Sequence, residues 1–174
     1  MKNLYFLRHG ISEMNKLGLW SGTSETPLSI EGIKQAQVAG RQAKSLNIDY
    51  IVCSPLGRAL KTARIVAKEI GYPKAKIHVN KLFIERHWGE LEGTKWSQEL
   101  DLDNVTEIET RDAILERARL ALEFLNSLEA DNVLVVSHGS FGRALRHHYA
   151  GIPYTNQRPP NEPVLPNGKI LQWL

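Results

Sequence analysis

Apolar and polar positions alternate along the chain in a way that separates short strands from longer helices. Four short apolar runs, rich in aliphatic and aromatic residues, predict buried strands. These runs are Asn3–Leu7, Tyr50–Cys53, Ile77–Val79 and Asn132–Val136. A last edge strand is predicted over Lys169–Leu174, directly after the turn sequence Pro166-Asn167-Gly168.

Between these runs, apolar residues recur every three or four positions, which is the period of a helix with one buried face. Helices are predicted from Ser29, over Gly57–Ile70, after Thr110 and from about Phe141 to Ala150. The residues expected to face inward are Ile33, Ala36, Ala39, Ala43 and Leu46 in the first helix, Ala59, Ala63, Val66 and Ile70 in the second, and Ile114, Ala118, Ala121, Leu122 and Leu125 in the third. Strands that alternate with such helices predict an α/β fold with a largely parallel sheet.

The segments between these elements are rich in glycine, proline and polar residues and are predicted to be loops. They are Leu17–Leu28, Lys81–Thr94 and a tail, Pro153–Pro166, that holds five of the eight prolines and is expected to be a surface loop. The chain has 174 residues and no internal repeat. We therefore expect residues 1–174 to form a single domain.

Composition and charge exclude several classes of protein. Hydrophobic residues make up 42% and charged residues 24% of the chain, which excludes disorder or a collagen-like repeat as a description of the whole. One cysteine excludes an internal disulfide framework and a cysteine-based zinc cluster. The net charge of +3 comes without a concentrated basic stripe, so a small anionic ligand is favoured over nucleic acid.

No apolar stretch has the length of a signal-peptide core or of a membrane span, which needs ~20 apolar residues. The longest apolar run near the N-terminus is Leu4–Leu7, which ends at Arg8. From these features we expect a cytoplasmic protein with no membrane partner.

Polar side chains follow three of the predicted strands where each strand ends. Arg8-His9-Gly10 follows the first strand, Ser54-Pro55-Leu56-Gly57-Arg58 the second, and Ser137-His138-Gly139 the fourth. Because ligands of α/β proteins bind at the carboxyl ends of parallel strands, we expect these groups to converge. Two arginines and two histidines in one pocket form an anion site, since guanidinium groups suit phosphate oxygens and neutral imidazole is a nucleophile near pH 7.

Each of these groups taken alone has an ordinary structural interpretation. A single histidine at a strand end is more often a hydrogen-bonded structural residue than a catalyst, and Arg58 alone is typical of a helix start. The convergence of three such groups at one edge of the sheet favours a phosphate site over three unrelated contacts.

Five motifs occur in order and together cover nearly the whole chain. They are Leu7-Arg8-His9-Gly10 with Ser12 and Asn15; Trp20-Ser21-Gly22 with Pro27-Leu28-Ser29 and Gly32; Ser54–Ala59 with Thr62-Ala63; Glu85–Gly93; and Val136-Ser137-His138-Gly139. This series resembles the histidine phosphatase superfamily, which includes the cofactor-dependent phosphoglycerate mutases. The resemblance implies a phosphoglycerate mutase-like α/β/α sandwich of three layers with a mostly parallel mixed sheet. It also implies a phosphatase that hydrolyses a small phosphomonoester through a phosphohistidine intermediate.

The resemblance assigns the catalytic roles residue by residue. His9 is the nucleophile that becomes phosphorylated, and Glu85 is the general acid for the leaving alcohol and then the base for water. Three cationic or imidazole side chains hold the phosphoryl oxygens, namely Arg8, Arg58 and His138. Stabilisation of the equatorial oxygens by fixed donors, and division of the transfer into two steps, are the two effects that this chemistry requires.

The resemblance also places substrate contacts in the loops. Asn15 is expected to contact phosphate, and Ser21 and Gly22 to contact the substrate through loop hydroxyl and backbone groups. Trp20 and Trp88 lie in loops predicted over the pocket, where they would shape the leaving-group side. The expected partner is a small phosphorylated metabolite, and the phosphohistidine route requires no metal and no cofactor.

Two alternatives remain at this point. Ile11 stands where the mutases have a glutamate, and the stretch from Glu85 to His138 lacks the longer, basic insertion of the mutases, which favours a phosphatase. In contrast, Arg86-His87-Trp88-Gly89 resembles the mutase form of the acid-bearing loop, so phosphoglycerate mutase is the first alternative. The second is a catalytically idle phosphate-binding module on the same fold, although the joint presence of all five catalytic residues argues against it.

Other candidate residues give weaker evidence of a functional site. Cys53 does not fit a cysteine phosphatase, because that motif needs an arginine six positions later and Ala59 stands there. We interpret Cys53 as a small buried hydrophobic residue. His147 and His148 are neighbours on a predicted helix and face different sides, so we expect a surface pair rather than metal ligands.

Overall fold

The computed structural model describes residues 1–97 and 99–173, which form a five-stranded sheet flanked by helices. The strands are β1 (Asn3–Arg8), β2 (Tyr50–Cys53), β3 (His78–Val79), β4 (Asn132–Ser137) and β5 (Ile170–Gln172). The helices are α1 (Glu13–Lys16), α2 (Ile30–Ala43), α3 (Gly57–Glu69), α4 (Arg111–Asn126) and α5 (Gly139–Ala150). Single 3₁₀ turns lie at Lys74–Lys76, Lys81–Phe83 and Gly89–Leu91.

The strand order is β3-β2-β4-β1-β5, and all neighbours are parallel except β5, which runs antiparallel to β1. The register pairs Arg8 with Ser137 at the end of β1 and β4, and Cys53 with Val136 at the end of β2 and β4. The polar residues that follow these three adjacent strands therefore leave the same edge of the sheet. The predicted α/β fold with a mostly parallel sheet is confirmed.

The sheet is covered on both faces. On one face Leu4, Phe6 and Val135 pack in a cluster with buried residues of α4 and α5. On the other face Tyr5 and Leu7 pack in a cluster with buried residues of α2 and α3. This division follows from the period of two along a strand, which sends successive side chains to opposite faces. The result is the three-layer α/β/α sandwich expected from the family resemblance.

The helix boundaries follow local chemistry that the sequence shows only in part. Ser29 and Thr110 cap α2 and α4 by accepting from the N–H groups of Gly32 at 3.0 Å and Ala113 at 3.2 Å. The helix predicted from about Phe141 begins at Gly139, immediately after β4. The predicted start was too late because the two residues before Phe141 are small or polar and add nothing to the apolar period.

The proline-rich tail is not a surface loop throughout. Tyr154 and Leu165 are buried and pack in the core cluster of α4 and α5. The edge strand predicted over Lys169–Leu174 is confirmed for Ile170–Gln172, and Leu174 lies outside the described residues.

The tail is fastened to α5 by two side chains. Arg143 Nε lies 2.8 Å and 2.9 Å from the two carboxylate oxygens of Glu162, and its Nη1 donates to Thr155 O at 2.8 Å. His147 lies 2.8 Å from the same carboxylate and 2.9 Å from Pro153 O. The prediction of a surface pair is therefore wrong for His147, which is buried against the tail, while His148 is exposed.

Within the described residues, no helix is both long enough and apolar enough to cross a membrane.

Candidate active site

A cleft of about 380 Å³ opens at the edge of the sheet where β1, β2 and β4 end. Its lining includes Arg8 and His9 from the end of β1, Arg58 from α3 and Gly139 from the start of α5. The convergence predicted from the strand ends is therefore observed, and it gathers two arginines and a histidine at one surface.

His9 is almost fully buried, and its ring is fixed by a backbone contact. Its Nδ1 lies 2.7 Å from Gly10 O, and because a carbonyl only accepts, Nδ1 carries the proton. Its Nε2 therefore has a lone pair, which accepts from Arg58 Nε at 3.2 Å. Burial, together with the positive charges of Arg58 and Arg8, holds the pKa of His9 well below its usual range. The imidazole is thus neutral near pH 7 and can act as a nucleophile through Nε2.

Two guanidinium groups lie beside His9, and apart from the His9 ring their hydrogen-bond acceptors among the described residues are carbonyl oxygens. Arg58 donates from Nη2 to Gly22 O at 2.6 Å and from Nη1 to Ser24 O at 2.9 Å. Arg8 donates from Nη1 to Leu165 O at 2.9 Å, while its buried Nε has no hydrogen-bond partner among the described residues. Burial lowers the pKa of both side chains. Glu85 is the main negative charge near both groups, but neither donates a hydrogen bond to a carboxylate among the described residues, so both are suited to a bound anion.

His138 stands directly beside the nucleophile. The centroids of the His9 and His138 rings are 5.0 Å apart, and the rings meet edge to face. His138 Nε2 lies 2.7 Å from Ser54 Oγ, and its buried Nδ1 has no partner among the described residues. Burial and the charge of Arg58 hold the pKa of His138 well below its usual range. His138 is fully buried and, unlike His9, does not itself line the cleft, so it places one unpartnered nitrogen next to the nucleophile rather than on the cleft surface.

The carboxyl group of Glu85 is held at the N-terminus of α5. Its Oε1 accepts from the N–H groups of Phe141 and Arg86, both at 2.8 Å, and its Oε2 accepts from Ser140 at 3.1 Å. The N-cap residue His138 makes no side-chain capping bond, so Glu85 supplies the acceptor that the helix start requires. Glu85 lines the cleft, as predicted.

The three predicted substrate contacts all line the cleft, but they differ in whether their polar groups already have partners. Asn15 Oδ1 accepts from Ser12 N at 3.2 Å in a capping box, so its carbonyl oxygen already has a structural partner. Ser21 Oγ is buried without a partner among the described residues, which leaves it for a ligand. Gly22 faces the cleft with its carbonyl oxygen turned to Arg58.

Glu92 fixes this loop, a role that the sequence motif did not reveal. Its carboxylate accepts from Thr23 N at 2.9 Å, Ser24 N at 2.8 Å and Trp88 N at 3.1 Å. A Cβ at Gly22 would stand 2.0 Å from Glu92 Oε1, and the φ angle of Gly22 is +47°, so the loop requires glycine.

Trp20 and Trp88 line the cleft as predicted, with ring centroids 4.5 Å apart.

Further cleft residues come mostly from segments that were not predicted to belong to the site. The additional lining residues that carry charged or polar groups include Arg86, Arg143, Arg146, Tyr154, Asn156, Arg158, Glu162 and Asn167. Most of these belong to α5 and the tail, and their only signal in the sequence is the clustering of arginines after position 140.

Asn167 illustrates how far apart in sequence the contacting residues lie. Its Nδ2 donates to His9 O at 2.8 Å, and the next residue, Gly168, donates its N–H to Arg8 O at 2.9 Å. The turn that follows the tail therefore holds the backbone of Arg8 and His9 in place.

Cys53 and His87 do not belong to the anion site. Cys53 is fully buried in the core, and burial raises its pKa to about 12, as expected for a small hydrophobic residue. His87 is exposed and lies 3.1 Å from Thr23 Oγ1. Among the described residues, no group of three histidine, cysteine or carboxylate side chains could hold a metal ion.

Comparison with known proteins agrees with this geometry. Residues 4–165 match the family model of the histidine phosphatase superfamily, branch 1. A phosphoglycerate mutase of Schizosaccharomyces pombe is 31% identical over 166 residues, which cover 82% of this chain and 76% of the relative.

Solved structures match over nearly the whole chain. The α-ribazole phosphatase of Shigella flexneri has a TM-score of 0.80 and 25% identity, covering 98% of this chain and 89% of its own. A mycobacterial glucosyl-3-phosphoglycerate phosphatase, solved with VO₃, has a TM-score of 0.81 and 25% identity, covering 99% of this chain and 92% of its own. Both phosphatases and mutases are thus similar to this chain.

Proposed function

Because the chain belongs to the histidine phosphatase superfamily, we propose that it hydrolyses a small phosphomonoester through a phosphohistidine formed on His9. The observation that carries the proposal is a neutral, buried His9 whose Nδ1 is tied to Gly10 O and whose Nε2 faces Arg58. The phosphatases among the similar structures support hydrolysis as the outcome. We propose further that residues 1–174 act as one such domain and that the enzyme works in the cytoplasm.

In the first step, His9 Nε2 attacks phosphorus and the bond from phosphorus to the ester oxygen breaks. For this attack, the hydrogen bond that Arg58 Nε–H donates to His9 Nε2 must pass to a phosphoryl oxygen. The lone pair of His9 Nε2 is then free to attack. Arg8 Nε supplies a second donor, since it is buried and unpaired among the described residues. The leaving oxygen takes the proton of the Glu85 carboxyl group and departs as an alcohol.

In the second step, water replaces the alcohol in the cleft. The Glu85 carboxylate removes a proton from the water as the water oxygen bonds to phosphorus. The bond from phosphorus to His9 Nε2 breaks at the same time. Phosphate leaves, and both His9 and Glu85 return to their starting protonation states. His138 Nδ1 and Ser21 Oγ, both buried and without partners among the described residues, contribute contacts to the phosphoryl oxygens. Asn15 and Gly22 complete the substrate side of the loop.

The second candidate is a phosphoglycerate mutase, favoured by the relative from Schizosaccharomyces pombe. In that case the phosphoryl group on His9 would return to a bound alcohol instead of passing to water. The five catalytic residues are the same in both reactions, so the candidates differ only in the fate of the phosphohistidine.

The test of the leading proposal is to trap the phosphorylated enzyme. Quench-flow with ³²P-labelled ester is expected to show an acid-labile, base-stable phosphoprotein in the wild type and none in His9→Ala. His148→Ala is the matched control, because His148 is exposed on α5. Full turnover by a folded His9→Ala protein would remove His9 from the nucleophile role.

A further inference from the structure

A layer of tryptophan side chains lines part of the cleft. Trp20 and Trp88 are buried with ring centroids 4.5 Å apart, and Leu102 packs with them in a small hydrophobic cluster. Trp96 extends this layer, with its ring centroid 6.2 Å from that of Trp20 and the two planes tilted by 47°. All four side chains line the cleft. The layer is therefore an aromatic surface that the chemistry at phosphorus does not use.

Trp96 is the member of this layer that is open to a ligand. It is 50% exposed, whereas the other two tryptophans are 8% and 5% exposed. Its backbone is held in place, because Trp96 N donates to Gly18 O at 2.9 Å and an antiparallel bridge joins the preceding Lys95 to Leu19. Aromatic pairs are favourable beyond the apolar area that they bury. A half-uncovered indole in the wall of a cleft is thus suited to a second flat ring.

The aromatic layer begins where the phosphoryl site ends. Gly22 O accepts from Arg58 Nη2 at 2.6 Å, and Arg58 Nε lies 3.2 Å from His9 Nε2. Trp20 precedes Gly22 by two residues in the same loop, and Trp96 packs on Trp20. Because His9 and Trp96 line one cleft of about 380 Å³, the phosphate and the alcohol part of one ester can contact both.

Tryptophan faces also bind cations, but the charge of the cleft argues against a cationic ligand group. Among the described residues, the lining carries six arginines and two glutamates. One tryptophan face already has a cation, since the Arg86 guanidinium lies 4.5 Å from the centroid of the Trp88 ring. A cationic group on the substrate would be repelled by these charges, so a neutral ring is favoured.

We propose that the alcohol part of the substrate carries a neutral aromatic ring, and that this ring packs on Trp96. The substrate class is then a phosphomonoester of an aromatic alcohol, in which the phosphate binds at His9 and the ring lies on the aromatic layer. Trp96 determines which ester is favoured and does not act on phosphorus. This assignment rests on the proposed phosphatase function, because the attack of His9 defines where the ester binds.

The test is a matched pair of esters, 2-phenylethyl phosphate and 2-cyclohexylethyl phosphate. Both release a primary alcohol, and they differ in whether the ring is flat and aromatic. We expect the wild type to favour the phenyl ester about threefold to tenfold in kcat/KM, which is the contribution of an aromatic pair beyond apolar area. Trp96→Ala should lose this preference, and Trp96→Phe, which keeps an aromatic ring, should retain part of it.

The control is Leu17→Ala, which removes an exposed apolar side chain that does not line the cleft. We expect it to keep the preference of the wild type. Each preference is a ratio measured on one protein sample, so a loss of folded protein in any variant cancels. An equal loss of preference in Leu17→Ala would mean that the surrounding loop is responsible, and would overturn the assignment to Trp96.

A second pair of esters changes the distance of the ring from phosphorus. In 4-phenylbutyl and 4-cyclohexylbutyl phosphate the ring lies two carbons further away. A wild type without the preference in either pair, or an unchanged preference in Trp96→Ala, would overturn the assignment. Phosphocholine tests the cationic alternative. Faster hydrolysis of phosphocholine than of the phenyl esters, lost in Trp96→Ala, would mean that Trp96 binds a cation and would overturn the neutral ring.

A binding measurement separates this inference from the proposed function. Calorimetric titration of His9→Ala with a matched pair gives the dissociation constants without turnover, and the same ratio is then measured in His9→Ala combined with Trp96→Ala. Hydrolysis of p-nitrophenyl phosphate by the wild type tests the phosphatase proposal independently. If that ester is hydrolysed and the two dissociation constants are equal, the Trp96 assignment alone is wrong. If it is not hydrolysed, the dissociation constants still decide whether Trp96 binds an aromatic ring.

Discussion

His9 and His138 are two neutral rings held among buried cations, and this arrangement links catalysis to stability. Each pKa lies well below the ordinary value of 6.5, mainly because burial disfavours the charged imidazole. A nucleophile that stays neutral below pH 6.5 keeps its lone pair over a wider pH range than an exposed histidine would. The same shift requires that protonation opposes folding.

We expect the free energy of unfolding to fall as the pH decreases below about 6.5. In the unfolded chain both histidines regain a pKa near 6.5, so the unfolded state binds more protons in this range and is favoured. Each histidine contributes a slope of at most about 1.4 kcal/mol per pH unit. Urea unfolding at several pH values would show the slope, and His138→Gln should reduce it. Exposed His148→Gln is the control, and an equal slope in His138→Gln would contradict the assignment.

Glu85 is expected to matter most for poor leaving groups. An alkyl alcohol needs a proton as it leaves, and a general acid typically contributes ~10²–10⁴-fold, whereas p-nitrophenolate leaves without that help. Glu85→Gln keeps an oxygen for the N–H groups of α5 and loses the proton that can be transferred. Single-turnover phosphorylation of His9 should therefore slow much more with an alkyl phosphate than with p-nitrophenyl phosphate. Equal slowing would mean that Glu85 only caps the helix.

At the scale of single residues, the sequence predicts which residue types stand at the site but not which groups they contact. His9, Arg8 and Arg58 could be predicted, because each stands where a recognisable strand ends or a helix begins. Arg86 and Asn167 could not, since their contacts come from Glu109, Asn156 and the β1 backbone, which are remote in sequence. The burial of His147 was missed for the same reason, because Glu162 lies on the tail.

The junction between β1 and α2 depends on two glycines that face each other. A Cβ at Gly10 would stand 2.2 Å from Gly32 O, and a Cβ at Gly32 would stand 2.1 Å from Ile11 O. Both obstacles are backbone atoms, which cannot rotate away. The close approach lets Ser29 Oγ donate to Ile11 O at 2.9 Å and so fixes the residues after His9 against the start of α2.

We expect Gly32→Ala to destabilise the protein by about 1–3 kcal/mol, the usual cost of overpacking, and to lower kcat through displacement of the His9 segment. Gly57→Ala at the start of α3 is the control. Its Cβ would meet only the carboxylate of Glu25, with Oε2 at 3.0 Å, which is the far end of a side chain that can rotate away. Thermal and urea unfolding of the two variants give the comparison. A Gly32→Ala protein as stable as Gly57→Ala would contradict the proposed close contact.

Elements were predicted well where the apolar period is long, as in α3 and α4, or where an apolar run is bounded by polar residues, as in β2. The exceptions are short. Helix α1 has no buried residue and is stabilised by a capping box, so it leaves no apolar period in the sequence from which it could be predicted. The start of α5 was predicted two residues late, because Gly139 and Ser140 add nothing to the apolar period and the cap is Glu85, a residue from another segment. Local patterns cannot reveal a cap supplied by tertiary structure.

Across the whole molecule, the cleft has the sheet edge as its base and walls that come from segments remote from one another in sequence. The base of the cleft is the edge of the sheet. The proline-rich tail forms one wall, and contacts of Glu162 with Arg143 and His147 hold this wall against α5. Most of the ordered secondary structure between Glu85 and His138 is α4, which packs on the sheet and α5 instead of over the cleft. The residues of this region that line the cleft beyond Arg86 are Trp88, Trp96, Ser97 and Leu102, of which Trp96 is half exposed.

This architecture leads us to expect hydrolysis rather than isomerisation of 3-phosphoglycerate. A mutase must hold the bisphosphorylated intermediate away from water until the phosphoryl group returns, whereas here α4, the longest element between Glu85 and His138, packs on the sheet and adds no residue to the cleft. Phosphorus NMR of the wild type with 3-phosphoglycerate should show inorganic phosphate growing ahead of the 2-phospho isomer, and His9→Ala should show neither. Added 2,3-bisphosphoglycerate is the control for a mutase that lacks its primer. Faster growth of the isomer in that sample would assign the protein to the mutases and leave the role of His9 as nucleophile in place.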